Sequence, residues 1–251
     1  MAGLAERLRA GERGLAALFL GGTDLTLVEM AGAAGFDFVV LDAEHGMAWR
    51  ELPALLVACR AAGIPGIVRV LPKRPDMIHL ALDWGADGVL VPGIESVDEA
   101  ARAVAAGRYA PEGRRGVAFS TRGALYGKRS GPEFLAEANR TLAILLQVET
   151  QGALDQLDAL LALPGYDGIF VGPTDLSVAL GEQSRLTPRV DAVIEDVVRR
   201  AEAVGKPWGL FAGPAARYKL WRERGAAYCA TGITSLVYGA CEAWLKEGRG
   251  A

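Results

Sequence analysis

The chain has 251 residues, 51% of them hydrophobic and 23% charged, with a formal net charge of −3. That is enough apolar material for one large core, so a single domain over residues 1–251 is expected, and no basic surface points to nucleic acid. No apolar run approaches the roughly 20 residues of a membrane-spanning helix, the opening MAGLAERLRAGERG lacks a signal peptide's apolar core, and Cys59, Cys229 and Cys241 show no C-x-x-C spacing, so a cytoplasmic protein is expected.

Leu4 and Leu8 indicate a short amphipathic helix ahead of the first strand, 15–20. A helix over 25–34 follows the GGTD turn and Gly35 closes it; the second strand, 36–41, leads into Asp42-Ala43-Glu44-His45-Gly46. The next helix, 49–62, ends at Gly63, and the strand 66–70 carries Arg69. Helix 76–84, strand 88–91 and helix 96–106 come next, the last ended by Gly107. The pattern then breaks. Residues 108–140 are rich in Gly and Arg without a clear period, and such a long insertion in a compact domain is functional or interfacial as a rule.

Two further strand–helix units lie between Leu142 and Gly181. The strand 143–148 is apolar except for Gln147 and ends at Glu149; the strand 168–171 ends in Gly172-Pro173-Thr174-Asp175. Unbroken apolar runs are the mark of buried parallel strands. Ala153, Leu154, Leu157, Leu160 and Leu161 recur at helical spacing between them. After a loop, GEQSRLTPRV, come a helix marked by Val190, Val193, Ile194, Val197, Val198 and Ala201, the strand 208–212, the helix 214–224, the strand 226–230 and a last helix, 235–246. Gly35, Gly63, Gly85, Gly165, Gly205 and Gly225 each stand between a helix and the next strand, where a left-handed glycine closes a helix. Eight βα units predict a closed α/β barrel, with an open doubly wound sheet as the alternative. No G-x-G-x-x-G follows the first strand, so no nucleotide cofactor is expected.

Barrel active sites form at the C-terminal ends of the strands. The polar residues there are Asp42, Glu44, His45, Arg69, Gln147, Glu149, Thr174 and Asp175. Two parallel strands place Glu149 and Asp175 on one rim, and two hard oxygen ligands there suit a hard divalent cation. Each acid alone could equally be a cap or first-turn acid of the helix that follows. That reading leaves Gln147, a polar residue inside an apolar strand, without a role. His45 supplies a titratable base and Arg69 a fixed cation; Asp42 and Glu44 could order the loops or support the metal from outside its ligand shell. Arg69 could instead pair with a core acid. Gly213 and Thr231-Gly232 could form the common barrel phosphate site or be tight turns. None of the lysines, Lys73, Lys128, Lys206, Lys219 and Lys246, lies inside a predicted strand, which favours a metal enolate over a Schiff base.

The segments FDFVVLDAEHG, GIVRV, LDWGADGVLVPG, LLQVET and DGIFVGPTDLSVALG resemble the HpcH/HpaI aldolases, the class II pyruvate aldolases, across nearly the whole chain and in the same order. The resemblance implies a (β/α)8 TIM barrel of the phosphoenolpyruvate/pyruvate superfamily type, assembled as a homohexamer with the C-terminal helix exchanged between subunits. It implies reversible cleavage of a 4-hydroxy-2-oxo acid into pyruvate and an aldehyde through a metal-bound pyruvate enolate, with Mg²⁺, Mn²⁺ or Co²⁺. Glu149 and Asp175 would hold the metal, His45 would be the base and Arg69 would steady the enolate oxygen. Gln147 and the Gly172-Pro173-Thr174-Asp175 turn would contact substrate, and Asp83, in LDWGA, would support the basicity of His45. Where many members carry Asn-x-Gly-His-Pro, this chain has Glu182-Gln183-Ser184-Arg185-Leu186-Thr187-Pro188. The insertion with Arg122 and Tyr126 diverges as well. Both regions are expected to border the aldehyde, whose identity is therefore left open. Other readings are a citramalyl- or malyl-CoA-type lyase, a phospho-sugar isomerase and a non-catalytic pyruvate-binding barrel.

Overall fold

A computed structural model describes residues 3–46, 49–184 and 186–250. Among these residues eight strands form, β1 (Leu15–Leu20), β2 (Phe38–Asp42), β3 (Gly66–Arg69), β4 (Gly88–Val91), β5 (Ala143–Val148), β6 (Gly168–Val171), β7 (Trp208–Phe211) and β8 (Tyr228–Gly232). Each runs parallel to its neighbours, and β8 pairs with β1, closing the sheet into a barrel. The helices are α1 (Leu4–Arg9), α2 (Leu25–Ala34), α3 (Leu52–Ala62), α4 (Pro75–Asp83), α5 (Val97–Gly107), α6 (Gly131–Thr141), α7 (Gln151–Asp155), α8 (Leu157–Ala162), α9 (Pro173–Ala179), α10 (Pro188–Ala203), α11 (Ala215–Arg224) and α12 (Ile233–Arg249). The chain is a (β/α)8 barrel.

The strands read as unbroken apolar runs because both of their faces are buried. Side chains alternate between the two faces with a period of two. Ala17, Phe19, Phe38, Val40, Ile67, Leu90, Ala143, Leu145, Phe170 and Tyr228 fill the barrel, and Leu4, Ala5 and Leu8 of α1 join that cluster. The alternate residues, among them Leu18, Val39, Val68, Val89, Ile144, Ile169 and Leu210, form the second layer under the helices. The six inter-element glycines all have positive φ, between 66° at Gly205 and 105° at Gly225.

Several local expectations change. The crossover helix between β5 and β6 is broken at Gln156 (φ −111°, ψ 19°), giving α7 and α8. Gly107 is the last residue of α5 rather than its terminator. The space above its Cα belongs to Ile144, whose Cδ1 would lie 2.5 Å from a Cβ there. The insertion contains a 3-10 segment, Arg122–Gly127, and the helix α6. Its position also differs. α5 runs back from the C-terminal rim, so residues 108–142 cross the N-terminal rim before β5 begins. Arg108 anchors them there, donating to the carbonyls of Gly165, Asn139 and Leu142 and to Asp167 Oδ2. Within one subunit the insertion therefore stands at the far end of the barrel from Glu149 and Asp175.

Candidate active site

The two-residue period decides which side chains enter the barrel mouth. Asp42 follows Phe38 and Val40 on the inward face of β2, and Arg69 follows Ile67 on β3. Gln147 and Glu149 continue the inward series of Ala143 and Leu145. Asp42, Gln147 and Glu149 are all buried.

Asp42 and Arg69 form a two-pronged pair, Nε to Oδ1 at 2.9 Å and Nη2 to Oδ2 at 2.7 Å. Planar guanidinium and carboxylate match in this geometry, which fixes the arginine's orientation. Arg69 is therefore paired with an acid, and that acid lines the mouth. Its Nη1 reaches Glu44 Oε2 at 3.2 Å, and its guanidinium carbon lies 5.2 Å from the ring centroid of Phe19. Burial would raise the Asp42 carboxyl, but the Arg69 hydrogen bonds and charge outweigh it and hold the group below its ordinary value. Asp42 also accepts from the backbone N–H groups of Glu44 and His45, at 3.2 and 3.3 Å, so it orders the loop that carries the candidate base. His45 Nε2 lies 3.6 Å from Glu44 Oε2, and its side chain is 64% exposed. Burial raises the Glu44 carboxyl above its ordinary value; Arg69 and His45 oppose the shift, while Asp42 and Asp175 add to it.

Across the mouth, Glu149 Oε1 accepts from Gly93 N–H at 2.9 Å, and Gln147 Nε2 donates to Glu149 Oε2. Gly172 makes this arrangement possible: a Cβ there would lie 2.4 Å from Glu149 Oε2 and 2.8 Å from Gln147 Nε2. Burial, with the nearby charges of Asp175 and Glu44, pushes the Glu149 carboxyl up to about 7 despite the Gly93 and Gln147 hydrogen bonds. Such a raised acid, beside the charge of Asp175, is what a divalent ion would neutralise. Gln147 Oε1 is buried without a donor, so an acceptor waits at the same spot. Among the described residues no three acid, histidine or cysteine side chains form a complete ligand set. The donor chemistry fits an ion whose remaining ligands are water and substrate, with Glu149 and Asp175 as the protein's share.

Asp175 and Thr174 are exposed in the first turn of α9, after Pro173 and the N-cap Gly172. Asp175 thus has the position of a first-turn acid and also faces Glu149. Asp83 is placed elsewhere. It ends α4 at the N-terminal rim and accepts from Arg115 Nη2 at 2.7 Å. The support for His45 that the resemblance implies is not made within one chain, because the two residues stand at opposite ends of the barrel. Gly213 has φ 75° and donates its N–H to the Ala230 carbonyl of β8 at 3.2 Å.

Gly93 and Phe19, which touch Glu149 and Arg69, were not singled out from the sequence. Gly93 acts through its backbone N–H, which no side-chain pattern marks. Phe19 looks like any core aromatic until Arg69 is placed over it.

Residues 15–238 match the model of the HpcH/HpaI aldolase/citrate lyase family. The 5-keto-4-deoxy-D-glucarate aldolase of Salmonella typhimurium (strain LT2) is 41% identical over 207 residues, 81% of this chain and 80% of that protein. An HpcH/HpaI aldolase/citrate lyase family protein from Burkholderia cenocepacia J2315 superposes with a TM-score of 0.91 at 34% identity, covering 98% of both chains. The HpcH/HpaI aldolase from Desulfitobacterium hafniense DCB-2 gives 0.90 at 29% identity, over 98% of this chain and 96% of that one.

Proposed function

The chain belongs to the HpcH/HpaI aldolase/citrate lyase family and is a carbon–carbon lyase, and on that premise we propose that it splits a 4-hydroxy-2-oxo acid into pyruvate and an aldehyde, or joins the two, with a divalent cation at Glu149 and Asp175. The observation that carries this reading is the buried Glu149 carboxylate, raised in part by the charge of Asp175, beside Gly172, which has no side chain to fill the space, and Gln147 Oε1, which has no donor. A bound cation would supply Lewis acidity at the 2-oxo group and its carboxylate.

The chain's own residues do the rest. Gln147 and the Gly172–Asp175 turn orient the 2-oxo acid half. His45 takes the proton from the 4-hydroxyl, directly or through water. The electron pair of the C3–C4 bond then moves to C3, the aldehyde leaves, and the enolate left behind takes the proton back from His45 at C3 to become pyruvate. Arg69, immobilised by Asp42, presents a fixed positive charge where negative charge develops on the oxygen. In the addition direction the same groups act in reverse, and His45 returns the proton. Glu44, between Arg69 and His45, positions both.

The relatives named 5-keto-4-deoxy-D-glucarate aldolase support a hydroxylated 2-oxo acid as the substrate class. The test is a panel of aldehydes incubated with pyruvate and Mn²⁺, with products read by mass spectrometry. One or more 4-hydroxy-2-oxo acids should form, and EDTA should abolish them; no product with any aldehyde would count against the reading.

We also propose that the protein works as a homohexamer in which α12 packs on a neighbouring subunit. No residue of α12 is buried, and Trp244 is 75% exposed. Beside it an apolar groove of about 230 Å³, lined by Phe36, Tyr218, Cys229 and Leu236, follows the β8–β1 seam that a barrel's eighth helix would cover.

A further inference from the structure

A second cavity, of about 580 Å³, adjoins the site on its β1 side. His45 and Gly46 line its inner face, Gly21 its floor, and Leu27, Thr234 and Val237 its outer wall. The base loop is locked against that floor. A Cβ on Gly46 would lie 2.4 Å from Gly21 Cα and 2.6 Å from Gly21 O, so the loops after β1 and β2 touch backbone to backbone. Bare backbone on both sides fixes where His45 stands, while its imidazole remains 64% exposed.

The order of strands gives this cavity its place in the reaction. Glu149 and Asp175 follow β5 and β6, and in a closed barrel numbered in order these strands lie opposite β1 and β2. A 2-oxo acid held at β5 and β6 must reach across the mouth for its C4 hydroxyl to meet His45. Whatever is attached beyond C4 then passes His45 toward β1 and the start of α12.

We propose that this cavity seats the aldehyde half of the substrate, and that Leu27, Thr234 and Val237 decide which aldehyde is accepted. The assignment rests on the aldolase reading above. Leu27 and Val237 offer apolar walls that suit a carbon chain. The Thr234 hydroxyl and the uncovered backbone at Gly21 offer hydrogen bonds that suit a hydroxyl beside the carbonyl. The ligand class is a hydroxylated aliphatic aldehyde. Thr234 and Val237 stand on α12, so the wall that selects the aldehyde is carried by the helix its own barrel leaves uncovered.

Two measurements on one Mn²⁺-loaded preparation separate this proposal from the reading beneath it. The first is addition of pyruvate to glycolaldehyde or to propanal, which differ mainly in a hydroxyl against a methyl. The second is deuterium exchange into the pyruvate methyl without aldehyde. Val237→Trp, which adds an indole to the cavity wall, should raise KM for glycolaldehyde about 10-fold or more in protein that light scattering shows to keep the wild-type assembly. Thr234→Val should shrink the preference for glycolaldehyde over propanal. Both variants should exchange pyruvate protons within about twofold of wild type. An unchanged aldehyde KM in Val237→Trp, an unchanged preference in Thr234→Val, or exchange that falls in step with addition would overturn the assignment. Absence of exchange in the wild-type protein would sink the aldolase reading and this assignment with it.

Discussion

At the scale of residues, the geometry sets the proposed base apart from the proposed cation ligands. His45 stands on the loop after β2, whereas Glu149 and Asp175 follow β5 and β6. His45→Ala should therefore leave Mn²⁺ affinity, read by electron paramagnetic resonance, close to wild type. The rate of pyruvate methyl exchange should fall by about 10²–10⁴-fold, the usual worth of a positioned base. Exchange at the wild-type rate would pass the role to Glu44, 3.6 Å away. Gly172→Ala tests the other half of the site. Its Cβ would meet Glu149 Oε2 and Gln147 Nε2 inside contact distance, and the neighbours it meets are the candidate ligand and its partner. Mn²⁺ affinity should drop about 10-fold or more while urea stability changes little; unchanged affinity would mean that Glu149 can shift at no cost to the site.

At the scale of elements, the far rim is held by a buried network. Arg108 and Asp167 pair at 2.5 Å, each side chain about 1% exposed, while Arg9 reaches the same carboxylate from a half-exposed position. Removing Arg108 takes the donor from three carbonyls and leaves the buried Asp167, among the described residues, with only the half-exposed Arg9 as an ion-pair partner. Arg108→Met should cost about 3–5 kcal/mol in urea unfolding, and Arg9→Met about 1 kcal/mol or less. Equal losses would show that the network is not the anchor of the insertion. The strands and their closing glycines were legible in the sequence because burial on both faces imposes continuous apolar runs and the left-handed turn favours glycine. That Gln147 and Glu149 face the barrel mouth was legible because the inward series Ala143, Leu145, Gln147 and Glu149 turns polar where the strand ends. α6 was not, since Phe134, Leu135 and Ala138 are a thin apolar stripe on a charged helix. The pairing of Asp83 with His45 is not made within one chain, and a motif carries identity without saying which rim it occupies. In a single chain the direction of α4 puts Asp83 opposite His45. The break at Gln156 has no marker in composition, as the apolar spacing runs through it.

At the scale of the molecule, α12 is an apolar helix without a buried residue. Light scattering at micromolar concentration should give six times the chain mass, and a monomer would refute the exchange of α12. Acidity should act through Glu149. The Glu149 carboxyl stands at about 7 in the folded chain against an ordinary 4.5. The folded state therefore holds a proton that the unfolded state releases, and metal-free stability declines as pH rises from about 4.5 to about 7. Asp42, held low by Arg69, stays ionised through this window. A cation reverses the penalty, so Mn²⁺ should raise the melting temperature more at about pH 8 than at about pH 5. Equal shifts at both would detach the raised carboxyl from the metal site. The central claim, that a cation at Glu149 and Asp175 makes the pyruvate methyl acidic within reach of the chain's own base, is tested most directly by proton exchange of pyruvate alone in D₂O. The Mn²⁺-loaded protein should exchange the methyl protons, and EDTA or Glu149→Gln should stop it. Undiminished exchange in EDTA, with borohydride trapping pyruvate on a lysine, would contradict the account.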